Sequence, residues 1–215
     1  VQNKFLGSFV NSEGKLVIKD GTINGTVQEM IKNQGEKLRL ENITLTITKN
    51  GVGVINEGTG TVELINNVIT NSNAELSIVK NKGSGKIIAE GNTIKIFVYT
   101  RENSGAIENS AEGTIEYKSG TIINSGYRGY GDLGVGIKNK GTGTVNMTGG
   151  TIINKENYEY EYTYGISNEG EGTVNITGGT IKQEHKTYGS SCKTVYNKWK
   201  GIININNKEG ELDGT

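Results

Sequence analysis

The sequence predicts an all-β fold, a single-stranded parallel β-helix (β-solenoid) of about eight coils of 22–30 residues, forming one domain over 1–215. Three observations carry this expectation. Twelve residues are written twice, as GTGTVNMTGGTI from Gly141 and GEGTVNITGGTI from Gly170. An asparagine marks a register at Asn11, Asn33, Asn56, Asn81, Asn109, Asn139, Asn168 and Asn197, with intervals of 22, 23, 25, 28, 30, 29 and 29 residues. Apolar residues alternate two apart within each unit, the period of a strand and not of a helix.

Taken in chain order, the units begin with FVNSEGKLVIKDGTI from Phe9 and IKNQGEKLRLENITL from Ile31. VINEGTGTVELINNVI follows from Val54, IVKNKGSGKIIAEGNTI from Ile78 and AIENSAEGTIEYKSGTI from Ala106. The two closest copies are GIKNKGTGTVNMTGGTI from Gly136 and GISNEGEGTVNITGGTI from Gly165, and VYNKWKGIININN from Val195 is a degraded last one. Each unit holds a short tract ending at the marker Asn, a Gly-containing turn and a longer Val/Ile/Thr tract, which is strand-and-turn chemistry. The part from Asn to the terminal Thr-Ile is nearly constant. The growth in period falls after it, so insertions collect at one place in the coil.

Four columns are apolar in almost every unit. The first is Phe9, Ile31, Val54, Val79, Ile107, Ile137, Ile166 and Val195. The second is Leu16, Leu38, Val62, Ile87, Ile115, Val145, Val174 and Ile203, and the third, two residues on, is Ile18, Leu40, Leu64, Ala89, Tyr117, Met147, Ile176 and Ile205. The fourth is Ile23, Leu45, Ile69, Ile94, Ile122, Ile152 and Ile181. Between the second and third stand Val17, Arg39, Glu63, Ile88, Glu116, Asn146, Asn175 and Asn204, mostly polar, as the outward position of a strand requires. One unit cannot bury its apolar face alone, but stacked units can. Eight coils at ~4.8 Å give a rod on the order of 38 Å long.

Composition agrees. Only 33% of residues are hydrophobic, Gly numbers 33 and Pro is absent. A thin rod has much surface and a narrow core, and Pro would remove a ladder donor. The 23 basic and 23 acidic residues cancel, which gives no footprint for nucleic acid. No apolar run approaches the ~18 residues of a membrane helix, so no membrane insertion by this segment is expected. A single cysteine excludes an intrachain disulfide and a CxxC site. The first residue is Val1 and the last residues, EGELDGT, read as the opening of a further unit, so the domain is expected to be excised from a longer chain.

The GTVNITGGTI coils resemble the right-handed parallel β-helix repeats of bacterial surface proteins, including pectate-lyase-like adhesive domains and autotransporter-type passengers. The resemblance covers nearly the whole chain. It implies a right-handed coil and a secreted or bacterial cell-surface location. It does not fix an activity, because lyases, tailspikes and adhesins share the scaffold.

The residues favour a non-catalytic adhesin segment over an enzyme. The pectate lyases of this architecture imply clustered Asp for calcium, yet Asp20, Asp132 and Asp213 lie far apart, and no metal or other cofactor is expected. A glycosidase needs two carboxylates ~5–10 Å apart across the bond. Glu90 with Glu63 or Glu116 is the nearest arrangement, but Lys shares those outer columns, as in a solvated face. His185 has no partner for a metal site, and Cys192 has no nearby base. The marker asparagines read as a structural ladder, since they occur in every coil and a catalytic site occupies one place. The rival expectation is a glycan-cleaving β-helix: a polysaccharide lyase, a glycoside hydrolase or a phage tailspike.

The insertions point to binding. Their later versions are INSGYRGYGDLG, INKENYEYEYTYG and KQEHKTYGSSCK, and they hold seven of the ten tyrosines. Insertions in a repeat array gather on one side, often the binding side, and Tyr is enriched in binding surfaces. The candidate ligand-binding residues are Tyr127, Arg128, Tyr130, Tyr158, Tyr160, Tyr162 and Tyr188, with Trp199 near the turn. The expected partner is a host or bacterial surface glycan or protein. The alternative is packing: Tyr158, Tyr160, Tyr162 and Tyr164 alternate along one tract and share a strand face.

Overall fold

The structure is a computed structural model that describes residues 8–25, 28–48, 51–74, 76–98, 104–126, 133–155, 162–184, 193–198 and 200–206; for residues 73, 126, 133 and 162 it describes the backbone only. Every element among them is a β-strand, and every pairing is parallel. The chain forms a parallel β-solenoid.

One sheet takes one strand from each repeat. Its eight strands are β1 (Phe9–Asn11), β3 (Glu29–Asn33), β5 (Val52–Asn56), β8 (Val79–Asn81), β11 (Ser104–Asn109), β14 (Leu133–Asn139), β16 (Tyr162–Asn168) and β18 (Lys193–Asn197). The remaining eleven form the other sheet. They are β2 (Lys15–Gly25), β4 (Lys37–Ile47), β6 (Thr61–Ile65), β7 (Val68–Ala74), β9 (Lys86–Glu90), β10 (Asn92–Val98), β12 (Thr114–Tyr117), β13 (Gly120–Gly126), β15 (Thr144–Lys155), β17 (Thr173–Glu184) and β19 (Ile202–Ile205). In some coils one long strand, such as β15, runs through a corner. In others the corner splits it in two, as with β12 and β13.

The register stacks like on like. Ile107 pairs with Val79 and Ile137, and Ile115 with Ile87 and Val145. Asn109 pairs with Asn81 and Asn139. All four apolar columns are sealed in the six coils from the second to the seventh. Fewer coils therefore have a closed interior than the eight repeats seen in the sequence. At the ends, Phe9, Leu16, Ile18, Ile23, Val195 and Ile203 are only partly buried. Ile205, expected to point into the core, is 50% exposed, because β19 has a described partner on one edge only.

Two glycine requirements explain the doubled motif. At Gly143 and Gly172 the coils approach so closely that a Cβ would collide with the carbonyl oxygen of Gly113 or Gly143 beneath. At Gly150 and Gly179 the backbone turns with φ of 81° and 94°, a left-handed region that side chains resist. The corner is left-handed in earlier coils too: Gly91 and Gly120 take it in the fourth and fifth, but in the first three Asp20, Asn42 and Asn66 do, at φ of 52°, 56° and 53°. Asx residues tolerate this region better than most, and Asn42 Nδ2 donates to Asp20 Oδ1 at 2.9 Å.

Candidate functional site

The marker asparagines end the strands of the eight-stranded sheet, where the chain must turn. Their amides form a continuous chain of hydrogen bonds. Each Nδ2 donates to the next Oδ1, from Asn11 to Asn33 at 2.8 Å and onward to Asn139 to Asn168 at 3.1 Å. The same Nδ2 also holds its own turn, as Asn109 does by donating to the Gly113 carbonyl at 2.9 Å. Asn33, Asn56, Asn81, Asn109, Asn139 and Asn168 are completely buried. Asn197 pairs with Asn168 in register and donates to the Gly201 carbonyl, but among the described residues the amide-to-amide chain stops at Asn168. In the six from Asn33 to Asn168 the donor hydrogens and the carbonyl are engaged within the fold, which leaves those buried amides no capacity for a ligand.

A second inward amide stack, which the sequence did not reveal, lies in the longer sheet. Asn71, Asn124, Asn154 and Gln183 occupy one column together with Ile47 and Ile96. The amides of Asn124 and Asn154 meet at 3.1 Å.

The expected Tyr-rich surface is described only at its base. Tyr127, Arg128, Tyr130, Tyr158, Tyr160, Tyr188 and Trp199 lie outside the described residues, as do His185, Cys192, Asp132 and Asp213, and Tyr162 contributes its backbone to β16. Where the insertions rejoin the eight-stranded sheet, Tyr164 stacks on Tyr196 with ring centroids 4.6 Å apart and planes at 20°. Lys193 Nζ stands 4.7 Å from the Tyr196 ring centroid, within cation–π range. Tyr164 is 7% exposed, so packing is its role.

The outer face of the same sheet carries charges that are not solvated. Glu108 and Lys138 are 5% and 3% exposed. Glu108 receives Lys80 Nζ at 2.9 Å and the Ser77 hydroxyl at 2.5 Å. Lys138 Nζ lies 3.4 Å from Glu169, whose other oxygen accepts from Ser167 at 3.0 Å. Burial pushes the Glu108 carboxyl up, but the Ser77 hydroxyl and the Lys80 charge outweigh it and hold it below the usual range. Burial draws the Lys138 amine down despite Glu169 and Glu108.

Two of the three carboxylates considered for acid–base chemistry are held in ion pairs. Glu63 pairs with Lys37 at 2.6 Å and Arg39 at 2.8 Å, and Glu116 with Lys86 at 2.9 Å. Burial raises Glu63, yet Lys37 and Arg39 together bring it below its usual value, the wrong direction for a general acid. Ile88 separates Glu63 from Glu116 in the ladder. Glu90 sits two residues beyond Ile88, exposed. Among the described residues no group of three or more His, Cys, Asp or Glu is placed to hold a metal.

An open groove of about 470 Å3 runs over the outer face of β12, β15 and β17. Glu116, Lys118, Asn146, Thr148, Asn175 and Thr177 line it. Asn175 Nδ2 donates to Asn146 Oδ1 at 2.8 Å, and Asn204 Nδ2 to Asn175 Oδ1 at 2.8 Å, so the floor is an outward amide ladder. The twice-written Thr-Val-Asn-(Met/Ile)-Thr produces this floor, its alternate residues facing out while Val145, Met147, Val174 and Ile176 fill the core. No family model matches the sequence, and no curated protein or solved structure is detectably similar to it.

Proposed function

We propose that the chain is a non-catalytic extracellular segment of a bacterial cell-surface adhesin, of the kind found in pectate-lyase-like adhesive domains and autotransporter-type passengers. It presents its Tyr-rich insertion side to a glycan or protein. The observation that carries this reading is the half-buried Tyr196 ring with the exposed Lys193 beside it, backed by the packed Tyr164, at the base of those insertions. An aromatic and cationic shelf joined to segments rich in Tyr suits sugar faces and protein side chains alike. Tyr127, Arg128, Tyr130, Tyr158, Tyr160, Tyr162 and Tyr188 extend this side in sequence, and Trp199 lies near the following turn.

The rival, a glycan-cleaving lyase, hydrolase or tailspike, needs an acid and a base in matched protonation states. The ion pairs of Glu63 and Glu116 weigh against it. Incubation with plant, host and bacterial glycans, followed by product analysis and a binding assay on the same panel, separates the two. Binding without turnover is expected. Reproducible chain cleavage would overturn the adhesin reading.

A further inference from the structure

We propose that the groove over β12, β15 and β17 is a second, independent binding site, and that its ligand is a neutral polysaccharide lying along the rod axis. It shares no residue with the Tyr-rich side, and the proposal does not rest on that side binding anything.

The first argument is the distribution of charge along the rod. In the early coils the outer columns of this face hold Lys15, Lys19, Lys37, Arg39, Glu41 and Glu63, tied into ion pairs such as Lys19–Glu41 at 3.0 Å. In register with them in the sixth and seventh coils stand Thr144 and Asn146, then Thr173 and Asn175; Thr148 and Thr177 follow on the same exposed face, where the register shifts and Thr148 pairs with Gly178. One continuous face therefore passes from paired charges to uncharged amides and hydroxyls, and the groove lies where the charges end. Glu116, at its border, is already neutralised by Lys86.

The second argument is hydrogen-bond capacity. A sugar offers adjacent hydroxyls that both donate and accept. A side-chain amide offers two donor hydrogens and an acceptor oxygen, and a Thr hydroxyl can do either. The ladder between Asn146, Asn175 and Asn204 uses one hydrogen and one lone pair per contact and fixes each amide in place. That leaves Asn146 and Asn175 with hydrogen-bonding capacity that no described residue takes up. The hydroxyls of Thr148 and Thr177 make no hydrogen bond to a described residue. Amides held in position before binding lose little freedom when a ligand arrives, which favours recognition by several weak contacts.

The third argument is repeat length. The Thr-Asn-Thr triad stands in two successive coils, ~4.8 Å apart, and Asn204 carries the Asn row into a third. That spacing is close to the length of one pyranose ring, so successive sugars of a chain along the axis meet equivalent donors and acceptors. An anionic polysaccharide has only Lys118 to pair with here, and the Thr and Asn rows offer the rest of its charges no counter-ion.

The test is titration of the protein with soluble neutral oligosaccharides (cello-, xylo- and malto-series) and with an anionic control, oligogalacturonate. It is followed by calorimetry and by the side-chain amide signals in NMR. Neutral oligomers are expected to bind in the millimolar range, to tighten with chain length and to shift the Asn146 and Asn175 side-chain signals. The double variant Thr148→Arg, Thr177→Arg fills the groove from exposed positions and should weaken binding by about tenfold or more. The triple variant Tyr127→Ala, Arg128→Ala, Tyr130→Ala should bind these sugars as the parent does. The proposal is overturned if no neutral oligomer binds the parent protein. It is also overturned if the groove variant binds as well as the parent, with its circular dichroism unchanged. Loss of binding only in the triple variant would overturn the groove and leave the insertion side as the glycan site. Preference for oligogalacturonate would overturn the neutral specificity.

Discussion

Tyr117 fills the core where Gly150, on the adjacent coil, leaves it room. A Cβ built on Gly150 would stand 2.7 Å from the Tyr117 ring. The ring is completely buried, and its hydroxyl donates to the Thr151 carbonyl at 3.3 Å. In the coil on the other side the same column holds Ala89, the smallest residue in it. The one aromatic in the third column is thus accommodated by a small neighbour on one side and a glycine on the other.

Gly150→Ala should therefore be costly. It adds a methyl group against a packed ring and forces a side chain into φ of 81°. Overpacking and left-handed strain together cost about 2–4 kcal/mol. Gly21→Ala is the control, since a Cβ there meets nothing within 4 Å. Urea denaturation followed by circular dichroism should show a lower midpoint for Gly150→Ala and little change for Gly21→Ala. Equal midpoints would mean that the Tyr117 environment can relax.

Acid should loosen the outer face of the eight-stranded sheet through Glu108. Its folded carboxyl lies below the ordinary value of 4.5, so the folded state binds fewer protons than the unfolded chain in the interval between. Stability from this group is complete above pH 4.5 and is lost as pH falls through the folded value. Glu108→Gln removes that dependence and leaves Lys80 without its 2.9 Å partner. Breaking one half of a buried pair costs about 3–5 kcal/mol, less here because Lys80 is partly exposed. The variant should melt lower than the parent at neutral pH, and the gap should narrow toward pH 3. A constant gap across that range would assign the acid response to other carboxylates.

The columns explain what could be seen in the sequence and what could not. An apolar column announces itself when every coil repeats it, as Leu38, Val62, Ile87 and Ile115 do. The marker asparagines announce themselves in the same way, because each turn needs the same donor. The Glu108–Lys138 row alternates Lys32, Ile55, Lys80, Glu108, Lys138 and Ser167, which looks like a solvated strand face. Charge patterning alone does not distinguish a wet row from a covered one. The inner stack at Asn124 was hidden for a related reason. Two coils fill its column with Ile and others with an amide, so the pattern matches neither a core column nor a ladder. The end coils escaped because alternation says which face a residue is on, not whether a neighbour covers it, and Ile205 is exposed on the core face.

That mixed column gives the last prediction. Ile96 pairs in register with Asn71 on one side and Asn124 on the other, so the space at this position accepts an Ile. Asn124 is completely buried and Asn154 is 1% exposed, with their amides 3.1 Å apart. Changing Asn124 to Ile alone removes one partner of the Asn154 amide and leaves it those at Tyr164, Gly165 and Gln183, and a buried polar group that loses a partner costs about 1–3 kcal/mol. Changing both Asn124 and Asn154 to Ile removes both ends of that contact, although Gly165 and Gln183 then lose the Asn154 amide as well. In a double-mutant cycle the two losses should therefore be less than additive, with a coupling energy of about 1 kcal/mol or more. Additive losses would show that the two amides bond mainly to the backbone, at Tyr164 and its neighbours, and that the stack between them contributes little.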